Sequence, residues 1–364
     1  MNNINVFNIL TSLNFGGVES RASIINANNT SIAQHSFIAI STGGKAADTI
    51  RSNNGNVTLL MEKSSIPSLK AIISLYKNFR TNNPDVVHTR GAEANFHGLI
   101  AAWLARVPVR IGEEIGIPNH SLKAKLTFKF SYLFANKVIG ISDAVTNWLI
   151  ESGEVPAHKA VKIYNPVIIP KSRNQHDIQS DIFRIGFVGR LEPVKNPLAL
   201  LEAVALIIDR GYDVELSVVG DGSQKQILID RASELKISNR VIIHGFQHEP
   251  DRYVRQCHVY VQPSLSEGFG LALVEAMGCA VPVIATAVGG APEIIQDNLT
   301  GWLIHKTNAK TIANKLIEVL EMPEDKLINI GLAGRKSVET RFEPAAYMKE
   351  LEALYIHQLN KVKR

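Results

Sequence analysis

Val259-Tyr260-Val261-Gln262-Pro263-Ser264-Leu265-Ser266-Glu267-Gly268-Phe269-Gly270-Leu271-Ala272-Leu273-Val274-Glu275-Ala276-Met277-Gly278 is the stretch on which the reading turns. Val259 to Val261 is an apolar strand, Gln262 to Glu267 a polar turn, and Leu271 to Met277 a helix by composition. Glu267 therefore falls just before a helix and Glu275 inside it. The amides from Gly268 to Leu271 become the unpaired donors of the first turn, and the glycines let an anion approach the backbone closely. That arrangement suits the phosphates of a sugar nucleotide. Two glutamates at a helix start also fit a dipole partner and a solvated face, so the rest of the chain has to decide.

On either side of this stretch, apolar strand runs alternate with longer helical patterns, as in an α/β fold of mostly parallel sheets covered on both faces. One set of strands is expected at Ile4 to Leu10, His35 to Ile40, Val57 to Leu60, Val86 to His88, Val109 to Ile111 and Val138 to Gly140. Asn165-Pro166, Ile169-Pro170 and the polar run Lys171 to Asp181 then read as a linker. A second set is expected at Arg184 to Gly189, Glu215 to Gly220, Val241 to Gly245, Val259 to Val261, Val281 to Ala285 and Trp302 to Ile304. Ligands of open parallel sheets bind beyond the carboxyl ends of the strands, so two such sheets facing each other would enclose a cleft. Leu351, Leu354, Tyr355 and Leu359 give the last segment helical spacing. The expected division is 1–167, 168–343 and a C-terminal helix over 344–364 that packs back toward the first domain.

The chain has 364 residues, 45% hydrophobic and 20% charged, with a formal charge of +5. No 18-residue apolar stretch stands without a charge or a helix breaker, and the start has no basic region of a signal peptide. A cytoplasmic protein is expected, at most peripheral at the inner face of a membrane. Cys257 and Cys279 sit in apolar contexts without metal-ligand spacing, and no nucleic-acid module is present, so neither a metal nor a nucleic acid is expected.

Other candidates fall at the expected strand ends. Gly189-Arg190-Leu191-Glu192-Pro193-Val194-Lys195-Asn196 sets two cations on one loop before a helix, suited to a diphosphate. Gly16-Gly17 follows the first strand and opens a helix, without the spacing of a dinucleotide fingerprint or a P-loop. His88 with Arg90, and the carboxylates Glu113 and Glu114 after the strand at Val109, are candidates for positioning or deprotonating a hydroxyl. Asp-x-Asp, the usual magnesium-diphosphate motif, does not occur.

Together these residues resemble the family 4 retaining glycosyltransferases, whose architecture is GT-B, two Rossmann-like domains facing a cleft. The resemblance rests on Gly189-Arg190 with Lys195, on Glu267-x7-Glu275 around Gly268-Phe269-Gly270, and on Pro282 to Thr286 with Gly289-Gly290-Ala291-Pro292-Glu293. It implies that Arg190 and Lys195 hold the donor diphosphate, that Glu267 contacts the donor sugar and that Glu275 binds the ribose. It further implies that amides near Phe269, Gly270 and Leu271 hold phosphate, that Gly245 and Phe246 lie near the base, and that Gly16 and Gly17 approach from the acceptor side. Where many members carry a histidine, this chain offers Glu114 or Glu113.

The implied reaction is transfer, with retention, of a hexose or N-acetylhexosamine from a nucleoside diphosphate sugar to a lipid-linked or surface polysaccharide precursor. No cofactor is implied. A uridine donor is preferred, with GDP-mannose its rival. A nucleotide-sugar 2-epimerase and a non-catalytic nucleotide-sugar-binding protein are the alternatives. Leu122, Leu126, Phe130, Leu133 and Phe134 fall at helical spacing beside Lys123, Lys125 and Lys129, which fits either an interfacial helix on the cytoplasmic leaflet or a helix packed on the first sheet.

Overall fold

The computed structural model describes residues 3–14, 16–173 and 182–362. The expected linker from Lys171 to Asp181 thus lies mostly outside the described residues. The chain forms two compact units, Met1–Pro166 with Pro344–Arg364, and Val167–Glu343. The first runs β1 (Ile4–Leu10), α1 (Gly17–Ala27), β2 (Ala33–Ala39), α2 (Lys45–Ser52), β3 (Asn56–Leu59), α3 (Leu69–Asn82), β4 (Val86–Arg90), α4 (Ala92–Leu104), β5 (Val109–Glu114), α5 (Leu122–Leu133), β6 (Lys137–Gly140), α6 (Asp143–Glu151) and β7 (Ala160–Lys162).

The second runs β8 (Phe183–Val188), α7 (Pro197–Asp209), β9 (Val214–Val219), α8 (Lys225–Glu234), β10 (Val241–Ile243), α9 (Asp251–Val254), β11 (Val259–Gln262), α10 (Leu271–Gly278), β12 (Val283–Thr286), α11 (Ala291–Ile294), β13 (Trp302–Ile304), α12 (Ala309–Leu320) and α13 (Glu324–Glu339). The chain then returns to the first unit as α14 (Pro344–Val362).

Among the described residues the sheets are ordered β3-β2-β1-β4-β5-β6-β7 and β10-β9-β8-β11-β12-β13, and every strand pairing is parallel. In each unit the first strand sits where the strand order reverses, between β2 and β4 or between β9 and β11, the place where an open parallel sheet opens a crevice.

Alternation along the first sheet sorts its side chains. Val6, Leu10, Val86, Val109 and Ile111 pack with α1, α2 and α14, whereas Phe7, Ile9 and Val87 pack with α3 and α4. Tyr347, Met348, Leu351 and Tyr355 bring α14 into the first of these cores. In the second unit Ile185, Phe187, Leu216, Val259 and Ile284 join Leu200, Leu201 and Val204 of α7 and Leu316 of α12.

Two differences from the sequence expectation bear on the site. β5 continues through Glu113 and Glu114, so these carboxylates lie in a strand rather than after it. Being adjacent in an extended chain, they point to opposite faces of the sheet. β7 was not expected: its three residues are only half-buried and carry no apolar run.

Candidate active site

The second unit assembles its candidates at the carboxyl ends of β8 and β11. After β8, Pro193–Lys195 makes a single 3₁₀ turn that ends at Asn196, whose φ of 56° is a left-handed conformation that asparagine tolerates. The Asn196 amide donates to the Pro263 carbonyl at 3.2 Å and the Thr307 carbonyl at 2.8 Å, and Leu265 N–H donates to Val194 O at 2.8 Å. These bonds tie the cation loop to the turn after β11. Lys195 Nζ lies 2.6 Å from Glu267 Oε2, with side chains 22% and 12% exposed. Gln262 Nε2 and Ser264 Oγ donate to the same oxygen at 3.2 and 3.3 Å.

Gly270, at φ 111°, is the N-cap of α10 and, being glycine, supplies no side-chain cap. The start of the helix keeps the partial positive charge that favours an anion. Behind the turn, a Cβ on Gly289 (φ 55°) would fall 1.5 Å from Glu267 O, and one on Gly290 would fall 2.5 Å from Phe269 O. Only glycines permit this approach of two backbones, which supports Glu267 from below. Reading the sequence for side-chain chemistry missed that role for Gly289 and Gly290, although the doublet itself was the signal.

Glu275 lies on α10, partly buried, and its carboxyl has no hydrogen-bond partner among the described residues. Burial and, after it, the charge of Asp251 raise it to about 7. Arg190 is exposed, also without a side-chain partner among the described residues. Phe269 is buried with its ring edge-on to Phe342 at 5.1 Å. Leu271 is the first residue of α10. Gly245 has φ 69°, and its amide neighbourhood joins the strand ends through Gly220 N–H to Gly245 O at 2.9 Å. Phe246 is 46% exposed, and its ring meets that of His248 at 5.0 Å in a T-shaped pair.

In the first unit, the expectation that His88, Arg90 and Glu113 line an acceptor side is corrected by the structure. All three are at most 1% exposed, on the sheet face covered by α1 and α14. Glu113 Oε1 pairs with Arg21 at 2.5 Å, and Oε2 lies 3.1 Å from His88 Nε2 and 3.3 Å from Arg90 Nε. His88 Nδ1 lies 2.7 Å from Tyr355 OH and 3.2 Å from Arg90 Nη2. Since Arg90 can only donate, Nδ1 accepts and the imidazole proton sits on Nε2, toward Glu113. Burial, then Arg90, lower His88 to about 4. Burial pushes the Glu113 carboxyl up, but Arg21 and Arg90 outweigh it and hold it at about 2. The cluster sets two guanidinium charges against the single carboxylate of Glu113, with His88 neutral, and α1 and α14 cover it.

Glu114 faces the other side of β5. Its Oε1 accepts from Ile115 N–H at 2.9 Å and its Oε2 from Tyr132 OH of α5 at 3.2 Å. Burial pushes this carboxyl up to about 7, so two adjacent glutamates differ greatly in their readiness to take a proton. Gly16 and Gly17 open α1, but the Glu19 carboxylate reaches back over Gly16, within 2.5 Å of where its Cβ would stand. An incoming phosphate would have to displace that carboxylate. Among the described residues no group of His, Cys, Asp or Glu could hold a metal ion.

On α5, Phe128, Ser131 and Tyr132 face inward. Leu122, Leu126, Phe130 and Leu133 are 76%, 60%, 52% and 62% exposed. Phe134 meets Phe130 edge-on at 5.2 Å and Trp103 of α4 at a tilt at 4.8 Å, which extends the apolar strip onto a second helix. No described helix is long and apolar enough to cross a membrane.

The family profile described as "Glycosyl transferases group 1" matches residues 168–337, and the one described as "Glycosyltransferase Family 4" matches residues 34–169. The capsular polysaccharide biosynthesis glycosyltransferase CapM of Staphylococcus aureus is 29% identical over 307 residues, 79% of this chain and 80% of that protein. The UDP-Gal:alpha-D-GlcNAc-diphosphoundecaprenol alpha-1,3-galactosyltransferase of Escherichia coli is 29% identical over 320 residues, 82% of each. Among solved structures, HepE of Anabaena in complex with UDP superposes with a TM-score of 0.83 at 22% identity, over 96% of this chain and 99% of that one. The likeness to HepE is one of fold, and the fold is GT-B. With the two profiles adjoining near the boundary between the two units, this chain belongs to the group 1 and family 4 glycosyltransferases.

Proposed function

We propose that the protein transfers a hexose or N-acetylhexosamine from a nucleoside diphosphate sugar to a sugar hydroxyl of a lipid-linked or surface polysaccharide precursor, with retention at the anomeric carbon. The observation that carries this reading is the Lys195–Glu267 pair, 2.6 Å apart, beside the uncapped start of α10. A diphosphate arriving there meets Lys195, Arg190 and helix amides, which neutralise the charge that develops as the sugar leaves. Glu267, released by Lys195, receives sugar hydroxyls. Glu275, unpartnered in this structure, accepts from the ribose. In the first unit Glu114 is the acceptor-side candidate, because unlike Glu113 it has no ion-pair partner among the described residues and burial holds its carboxyl near neutral pH; at 5% exposed, it meets an acceptor only if the cover over it opens.

A uridine donor is supported by the UDP-Gal named for the E. coli relative and by the UDP held by HepE. The capsular and diphosphoundecaprenol substrates in the relatives' names support a saccharide or lipid-linked acceptor. The exposed strip of Leu122, Leu126, Phe130 and Leu133, with Lys123, Lys125 and Lys129 alongside, supports peripheral docking on an anionic leaflet.

Thermal unfolding with UDP, GDP or ADP tests the donor site. A ligand at 100 times its Kd adds about 2.7 kcal/mol, and UDP is expected to raise the transition while ADP does not. Stabilisation by GDP alone would move the donor to GDP-mannose. No shift with any nucleotide would overturn the reading.

A further inference from the structure

All the hydrogen bonds of the Glu267 carboxylate fall on one oxygen. Oε2 accepts from Lys195, Gln262 and Ser264, while Oε1 accepts none among the described residues. A carboxylate anchored through one oxygen presents the other. The three anchors are not equivalent. Lys195 is the cation a diphosphate would draw away, and the Ser264 hydroxyl at 3.3 Å turns about a single bond.

Gln262 is fixed at both ends. It is 4% exposed, and its Oε1 lies 3.3 Å from the hydroxyl of Tyr260, which is itself completely buried and 3.2 Å from Val188 O. Burial, reinforced by Glu267 and Glu275, pushes the Tyr260 phenol well above its ordinary value, so it keeps its proton and donates. The Tyr260 hydroxyl has one proton for two acceptors, Val188 O and Gln262 Oε1, so it is the Glu267 carboxylate, which can only accept, that sets the Gln262 amide: Nε2 toward Glu267 and Oε1 toward Tyr260. Turned over, its oxygen would face Glu267 Oε2.

We propose that Gln262, buried against Tyr260, is a positioning residue that holds Glu267 by Oε2 and leaves Oε1 for the donor sugar once Lys195 has moved to the diphosphate. This rests on the proposed function, and adds to it a residue that does not touch the substrate. Gln262 should therefore matter for the sugar and not for the nucleotide.

The test measures UDP affinity by calorimetry and sugar transfer by turnover in wild type, Gln262→Met, Glu267→Ala and the double variant. Gln262→Met is expected to lower kcat by about tenfold, the cost of one charge-assisted bond, with UDP affinity changed by less than about twofold. In the Glu267→Ala background it should cost nothing further, because a residue acting only through Glu267 has nothing left to position. Losses that add, or UDP affinity that falls in step with kcat, would overturn the proposal. If Gln262→Met fails to fold, Gln262→Glu keeps the shape and sets a carboxyl against Glu267; the same non-additive pattern is expected of it. A wild type that transfers no sugar would overturn the function itself, whereas an active wild type with additive losses would overturn only the role of Gln262.

Discussion

The cluster of Arg21, His88, Arg90 and Glu113 in the first unit and the group of Lys195, Glu267 and Glu275 in the second are built from the same kinds of side chain at the same kind of place, the ends of parallel strands. They differ in what is left over. Glu113 has two guanidinium partners and a histidine, none of it more than 4% exposed. Among the described residues Glu267 has one oxygen without a bond, and the Glu275 carboxyl has none. Charged groups shut behind a covering helix belong to a core; a lysine–carboxylate pair at a helix start, with acceptors to spare, is poised for a ligand.

The sharpest way to break this comparison is to remove one member of each set. Glu113→Gln leaves Arg21 and Arg90 buried without their counter-charge and is expected to cost about 3–5 kcal/mol in urea unfolding; a loss below about 1 kcal/mol would make the cluster as dispensable as a surface pair. Acid should act in the same direction. His35 and His88 bind a proton near 6.5 when unfolded but only at about 3 and about 4 when folded. At these two sites the unfolded chain takes up more protons in between, so their contribution to stability falls as the pH drops from 6.5 toward 4, by up to about 1.4 kcal/mol per pH unit for each group. Glu114 and Glu275, which hold protons from about 7 when folded, contribute with the opposite sign between pH 7 and 4.5. The contribution of Glu113 is lost lower still, as the pH falls from 4.5 through about 2. A His88→Gln variant that keeps the wild-type dependence of stability on pH between 6.5 and 4.5 would contradict this.

Lys195→Ala should reverse the pattern, leaving unfolding nearly unchanged while lowering turnover by about 10- to 100-fold, the worth of a charge-assisted contact of about 1.5–3 kcal/mol. Equal turnover in variant and wild type would remove the diphosphate from this site. Glu275 gives a smaller, pH-dependent effect. Its carboxyl, raised to about 7, ionises as the pH rises, and the carboxylate accepts a hydroxyl more strongly than the acid does. UDP affinity should rise by up to about tenfold between pH 6 and 8 in wild type and stay flat in Glu275→Gln. Leu126→Ser on α5 should have the smallest effect: weaker flotation with anionic vesicles by about three- to tenfold, with turnover on a water-soluble acceptor unchanged. Undiminished vesicle binding would return this strip to ordinary surface.

The strands were legible because buried parallel strands write themselves as apolar runs, as Val259-Tyr260-Val261 and Val86-Val87 do. β7 was not, being a half-buried edge of three residues. Glu267 and Glu275 could be read because a glycine turn and a helix separate them in a recognisable way. Glu113 and Glu114 could not, since a strand three residues longer than its apolar run decides which face each occupies. The partners that disarm Glu113 are Arg21 of α1 and His88 and Arg90 of β4, and the cover over them, with Tyr355 bonded to His88, comes from α14, more than two hundred positions later in the chain. No local pattern announces such contacts.

The return of α14 to the first unit also has a consequence for the order of assembly. The chain leaves that unit at Pro166 and re-enters it at Pro344, so everything between is complete before Tyr347, Leu351 and Tyr355 have been synthesised. On the ribosome, where domains fold as they emerge, residues Val167–Glu343 can finish folding first. The older, N-terminal half must wait with His88 and Glu113 uncovered, and a helix made after the whole of the second unit closes a sheet laid down before it.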